Sequence, residues 1–194
     1  MTKRRILLAG LWALLSVVLL VVAAGAFALY FLHKFNPNPP TNDFPTPANS
    51  LAAQQQDIEQ FSRLLGMDRS FSPVARAEAN RQIATLKSES AALDTGKFRV
   101  ALMRTTALAD NGHTELNDER RRPNYVPVRV TLFADGLHVL RAKSAYADLL
   151  GARVESIEAR PTREVVSPLE RLQGGTEGWR RTRGAIYVHS PEVL

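Results

Sequence analysis

The sequence predicts an α+β protein carried on one transmembrane helix. Three observations lead there. A long charge-free apolar run lies near the N-terminus, from Ile6 to Leu32. Apolar residues then recur at helical spacing between residues 51 and 109, and from Val126 onward they alternate with polar ones. The parts follow in order: a short tail (1–5), a membrane anchor (6–32), a proline-rich linker (33–50), a helical segment (51–116) read as a small antiparallel bundle, and a small β-rich module with a C-terminal tail (117–194).

The anchor accounts for much of the charge. The formal net charge is +6, which by itself suggests an anionic partner. Lys3, Arg4, Arg5 and Lys34, which flank the apolar run, supply most of it, and the rest of the chain mixes acids and bases. Arg120-Arg121-Arg122 follows Asp118-Glu119 and reads as a solvated loop, so no nucleic-acid partner is expected. There is no cysteine, which excludes disulfides and thiolate metal sites. His33, His113, His138 and His189 are not at metal-ligand spacing. No cofactor and no metal are expected.

The run from Ile6 to Leu32 exceeds what a hydrocarbon core requires. Trp12 sits near one end, Tyr30 and Phe31 near the other, where interfacial aromatics gather. Lys3-Arg4-Arg5 on the short side puts the N-terminus in the cytoplasm and the bulk of the chain outside it, in a single pass. Ala26-Phe27-Ala28 resembles a signal-peptide cleavage site, which is the rival reading. The apolar run continues through Leu32, past the length of a signal core, so an uncleaved anchor is preferred. Pro37, Pro39, Pro40, Pro45 and Pro47 then predict an extended spacer over residues 36–49.

Three helices are expected next. The first runs from Leu51 to Leu65 with Ser50 as cap, Leu51, Ile58, Phe61 and Leu65 on one face, and Gly66 as stop. Ser72-Pro73 opens the second, which carries Ala75, Ala79, Ile83, Leu86, Ser90 and Leu93 on one stripe and stops at Asp94-Thr95-Gly96. The third spans Phe98 to Ala109, with Phe98, Ala101, Leu102, Thr105 and Leu108 inward. Such stripes are core faces and carry no functional reading.

In the second half, Val128, Val130 and Leu132 alternate with Arg129, Thr131 and Phe133. Asp135-Gly136 signals a hairpin turn into a return strand from Leu137 to Ala142. Ser144 is expected to cap a short helix through Leu150, closed by Gly151. A strand over Arg153–Ala159 follows, then a short helix opened by the capping box Ser167-Pro168-Leu169-Glu170 and ended by Gly174-Gly175. Ala185 to Val188 reads as a last short strand. Ser190-Pro191-Glu192 reads as a helix start at the end of the chain.

The stretch from Leu108 to Leu116 divides the halves. Only here do a histidine, two carboxylates and a hydroxyl (His113, Asp110, Glu115, Thr114) fall within a few residues. Its plainer reading is a helix C-terminus followed by a polar loop, with Asn111-Gly112 supplying the left-handed turn. Its sharper reading is a catalytic loop at a domain junction.

Gly151-Ala152-Arg153-Val154-Glu155-Ser156-Ile157-Glu158-Ala159-Arg160-Pro161 is similar to the G-x-x-I-x-x-I-x-G-x-P strand and turn of PDZ domains, with Ala159 in place of the turn glycine. The order of parts, with Asn111-Gly112-His113-Thr114 ahead of that module, resembles the C-terminal-processing (tail-specific) protease family and its tricorn-core relatives over about residues 98 to 175. The resemblance implies a serine peptidase architecture with a Ser-Lys dyad or a Ser-His arrangement. It places His113 at the position of the catalytic base. The nucleophile of that family lies in a core after the PDZ module, and residues 1–194 show no G-x-S-x-G elbow. Lys143 and Ser144 are sequence neighbours without dyad geometry.

Three function classes follow. The first is the anchored, extracytoplasmic N-terminal region of a tail-specific-protease-like protein, catalytically incomplete as a chain. The second is a non-catalytic envelope module that binds a peptide or protein at its PDZ-like edge. The third is a structural domain tethered to the membrane.

Overall fold

The computed structural model describes residues 3–36, 38–116 and 126–194. Arg120-Arg121-Arg122 lies outside the described residues. Two compact units divide the chain, Met1–Thr41 and Asn42–Leu194.

The first unit is one helix, α1 (Lys3–Phe35). Leucine, alanine and valine dominate it, and no proline interrupts its hydrogen-bond ladder. Its Leu8–Phe35 portion is long and apolar enough to cross a membrane, and none of it is buried by the protein. A helix apolar all round with no covering surface suits lipid as its solvent. Near its end Lys34 Nζ lies 5.6 Å from the centroid of the Tyr30 ring. The helix outruns the expected 6–32 at both ends.

An extended spacer over residues 36–49 was expected, and the second unit begins within that stretch, at Asn42. Asp43 pairs with Arg63 at 3.1 Å, the Arg63 guanidinium lies 4.7 Å from the Phe44 ring centroid, and Gln56 donates to the Pro45 carbonyl at 2.9 Å. Proline forbids helix here but leaves the carbonyls free to accept. The strip therefore lies along the next helix.

That helix, α2 (Ser50–Met67), is capped by Asn49 rather than Ser50: the Asn49 side chain accepts the Ala52 N–H at 2.9 Å. At its other end the Arg76 guanidinium donates to the carbonyls of Leu65, in the last turn, and of Asp68, just past it. α3 (Pro73–Glu89) starts as expected, with Ser72 as cap and Pro73 in the first turn, and tightens into a 3-10 turn over Ser90–Ala92. Asp94 does not merely end that helix. It caps α4 (Thr95–Ala107), accepting the Lys97 N–H at 2.8 Å. α2 packs on α3 and α3 on α4, burying Ile58, Ala79, Ile83, Leu86, Phe98 and Leu102 in one core.

Residues 126–194 mix helix with strand rather than being dominated by strand. β1 (Val128–Phe133) and β2 (Gly136–Ala142) form an antiparallel hairpin. Phe133 pairs with Gly136, so Ala134 and Asp135 are the turn, one residue earlier than expected. Val130 pairs with Val139 and Arg129 with Arg141, so Leu140 is an extra, unpaired residue in β2. On its other edge β2 meets the 151–154 segment: Val139 donates to the Ala152 carbonyl and accepts from Gly151, both at 2.9 Å.

Four further expectations change. Ser144–Leu149 is a 3-10 turn with Lys143 at its cap position, and Ser144 makes no capping bond. The strand expected over Arg153–Ala159 shrinks to a bridge from Arg153 to His138 and a tight hairpin, β3 (Ser156–Ile157) with β4 (Arg160–Pro161). Its turn residues Glu158 and Ala159 have φ of 51° and 61°. The next helix, α5 (Thr162–Leu169), opens right after Pro161, not at Ser167, and holds Pro168 in its last turn before tightening to 3-10 over Glu170–Leu172. Finally, Ala185–Val188 is no strand. Ala185 to Tyr187 close α6 (Glu177–Tyr187), which Thr176 caps by accepting the Trp179 N–H at 3.3 Å. A short apolar run does not distinguish a strand from a buried helix segment. Pro191–Val193 forms a single 3-10 turn.

Val130, Leu137, Val139, Val166, Leu169 and Tyr187 lie in a second core. α4 serves both cores, giving Met103 to this one and Leu102 to the other.

Candidate functional site

The junction loop begins where α4 unwinds. Ala109 and Asp110 donate to the Thr106 and Ala107 carbonyls at 3.1 and 3.0 Å. The left-handed residue that ends the helix is Asp110, with φ 47°, rather than Asn111 or Gly112. Asp tolerates that region because its short side chain bonds locally or across a gap. Here the Asp110 carboxylate accepts from the Gly175 N–H at 3.1 Å and from Arg180 at 2.9 Å. Asn111 shapes the next turn: its Oδ1 accepts the His113 N–H at 2.9 Å, and its carbonyl accepts the Thr114 N–H at 3.1 Å.

Backbone lies on backbone beneath this turn. A Cβ on Gly174 would stand 2.6 Å from the Asn111 nitrogen, and one on Gly175 2.9 Å from the Gly112 nitrogen. Gly175 also has φ 98°, so both glycines are required sterically. A Cβ on Gly112 would meet the Trp179 indole nitrogen at 3.1 Å. The Arg183 guanidinium lies 5.6 Å from the Trp179 ring centroid and bonds Glu115 at 2.6 Å, with both charged side chains largely covered. On the other side the Thr114 and Ser70 hydroxyls are 3.1 Å apart. Ser70 donates to Asp68 at 2.6 Å, so Thr114 is the donor to Ser70.

The four residues that drew attention in sequence therefore go to different partners. Asp110 binds Gly175 and Arg180, Thr114 binds Ser70, and Glu115 binds Arg183. His113 is exposed, and its ring makes no hydrogen bond among the described residues. Lys143 and Ser144 are exposed on the 3-10 turn. His138 bonds Asp135 at 3.1 Å. No group of three or more histidines or carboxylates placed to hold a metal occurs among the described residues.

The structure also identifies a site that the sequence did not single out. His189 is buried, and its Nε2 accepts the Val130 N–H at 2.7 Å on the outer edge of β1. Beside it an open cleft of about 360 Å³ is lined by Arg129, Val130, Leu140, Arg141, Ile186 and His189. It lies beside the β2 bulge, which no local sequence pattern announces.

Comparison with protein-family models, curated proteins and solved structures finds no match to this chain.

Proposed function

We propose that this chain is the membrane-anchored, extracytoplasmic N-terminal region of a tail-specific-protease-like protein, acting as a tethered module and not as a self-sufficient peptidase. The observation that carries the second half of this reading is the dispersal of the junction residues. A general base needs its nucleophile within hydrogen-bond reach. Every carboxylate and hydroxyl near His113 in sequence is instead engaged in holding the loop, Asp110 and Glu115 against Gly175 and α6 and Thr114 against Ser70. The PDZ-like reading draws support from the 156–161 hairpin, whose left-handed turn stands where that motif has its glycine, and from α5, which follows it without a gap. The anchor reading draws support from the exposed apolar surface of Leu8–Phe35 in α1.

Binding of a peptide or protein is the second reading, favoured by the cleft at the outer edge of β1. Strand addition there requires His189 to release the Val130 amide.

The test is hydrolysis of unstructured peptides by the purified full chain, with and without His113→Ala. The proposal predicts no difference between the two. Robust cleavage that disappears with His113→Ala would show a complete site.

A further inference from the structure

An apolar shelf lies on the surface of the second unit. Every residue from 143 to 153 is exposed, and the 3-10 turn over Ser144–Leu149 carries Tyr146 and Leu149 among them. Leu150 and Leu140 are exposed as well. The bulge explains Leu140, since without a cross-strand partner it leaves the buried alternation of β2. Among the described residues Asn42–Leu194, four of the nine exposed large apolar side chains fall within residues 140–150. Surface apolar residues are ordinarily scattered singly; a cluster marks a contact surface.

The turn is held firmly although it buries none of its residues. Tyr146 donates its backbone N–H to the Lys143 carbonyl at 2.8 Å, Leu150 to the Ala147 carbonyl at 3.2 Å and Ala152 to the Leu149 carbonyl at 3.0 Å. Gly151 donates to the Val139 carbonyl at 2.9 Å, which pins the segment to the edge of β2. A surface already fixed loses little freedom when a partner seats on it.

The charges on the turn select the partner. Lys143 precedes the turn, Asp148 lies near its end, and both are exposed. Among the described residues neither side chain makes an ion pair or hydrogen bond. A uniformly acidic partner would face Asp148 in the midst of the apolar residues, and a uniformly basic one would face Lys143. The surface that answers both is the same turn reversed. A two-fold axis through the middle of the turn sets Lys143 of each copy against Asp148 of the other, with apolar side chains between the two pairs. Isologous contacts require such self-complementarity, and opposite charges across an interface fix its register.

From these observations we infer that the shelf of Leu140, Tyr146, Leu149 and Leu150 docks on the same shelf of a second copy of this chain, closed on both sides of a two-fold axis by Lys143 and Asp148. A stable interface takes roughly 20–30 residues a side. This segment is shorter, so the dimer is a reversible one.

The chain has no cysteine, so Ala145→Cys in the middle of the turn and Val74→Cys on α3 each create a single thiol at an exposed position. The full chain is purified in mild detergent and treated with a short bis-maleimide over a range of protein concentrations. The expected result is a cross-linked dimer at position 145 and none at position 74. Lys143→Asp and Asp148→Lys each set like charges against one another on both sides of the axis, and each weakens the 145 cross-link by about tenfold or more. An equal mixture of the two variants restores it, because both pairs attract in the mixed dimer; that recovery also shows that both variants are folded. No cross-link at 145 at any concentration would overturn the inference. A cross-link indifferent to the charge reversals, as in a dimer held by α1 alone, would overturn it too. So would loss in both variants without recovery on mixing.

Discussion

Val130 and His189, 59 residues apart, are joined by a hydrogen bond of 2.7 Å from the strand amide to Nε2 of the imidazole. Accepting at Nε2 fixes the ring as the tautomer protonated on Nδ1. The bond occupies a donor on the outer edge of β1, where a bare strand edge invites pairing with another chain. The end of α6 thereby closes the sheet that its own helix packs against.

His189→Ala removes that acceptor and leaves a buried N–H unpaired beside a void. The expected loss is about 2–3 kcal/mol of stability, measured by chemical denaturation. Amide exchange at Val130 should accelerate more than at Val139, whose N–H keeps its bond to the Ala152 carbonyl.

The junction clasp predicts a contrast between two single substitutions. Gly174→Ala drives a methyl into the Asn111 backbone and should cost about 1–3 kcal/mol. His113→Ala removes an exposed ring and should stay within about 0.5 kcal/mol of the parent. Thermal or denaturant unfolding of the two variants side by side checks it. A His113→Ala variant as damaged as Gly174→Ala would mean that the ring has a structural partner.

Asp94 gives a pH dependence with a defined sign. The Lys97 backbone N–H, followed by the Lys97 ammonium, holds its carboxyl below the ordinary range. A depressed native pKa contributes stability that is present above the unfolded value and lost as pH falls through the native one. The loss therefore develops below about pH 4. Asp94→Asn keeps a capping oxygen and should flatten that part of the acid limb, whereas Asp94→Ala should lower stability at neutral pH as well, because it removes the cap. Unfolding curves between pH 2 and 7 separate the two.

Ala159 offers a gain. At φ 61° its Cβ crowds the backbone, and glycine at that position of a tight hairpin removes the strain. Ala159→Gly should stabilise by about 0.5–1 kcal/mol after the added freedom of the unfolded chain is subtracted. A lowered melting temperature would show that the turn is not left-handed in solution.

Local signals were legible in the sequence where one residue type does one job. Ser72-Pro73 opens α3 as expected, and the alternation at Val128, Val130 and Leu132 marks β1. The apolar run of α1 is equally plain. Signals with two meanings misled. Asp94 reads as a stop for one helix and caps the next. Ser167-Pro168 reads as a start and lies near the end of α5, because Pro161 had already begun it. Ala185–Val188 is too short to show a period, while Thr176 and Glu177, its true helix start, lie well upstream. The site was less legible still. His113 and its neighbours are adjacent in sequence, but their partners Ser70, Gly175, Arg180 and Arg183 are set by tertiary packing. His189 and Val130 are 59 residues apart, and no local pattern announces their pairing.

The proposed topology makes α1 an uncleaved span with residues 42–194 outside the cytoplasm. Cysteine-free sequence makes the measurement direct. Full chains carrying either Val74→Cys or Thr2→Cys are expressed, and intact cells with a permeable outer layer are treated with a membrane-impermeant maleimide. The predicted result is labelling of position 74 on intact cells, labelling of position 2 only after lysis, and both products at full length. Position 74 protected until lysis, or position 74 labelled on a product shortened at Ala28, would contradict it.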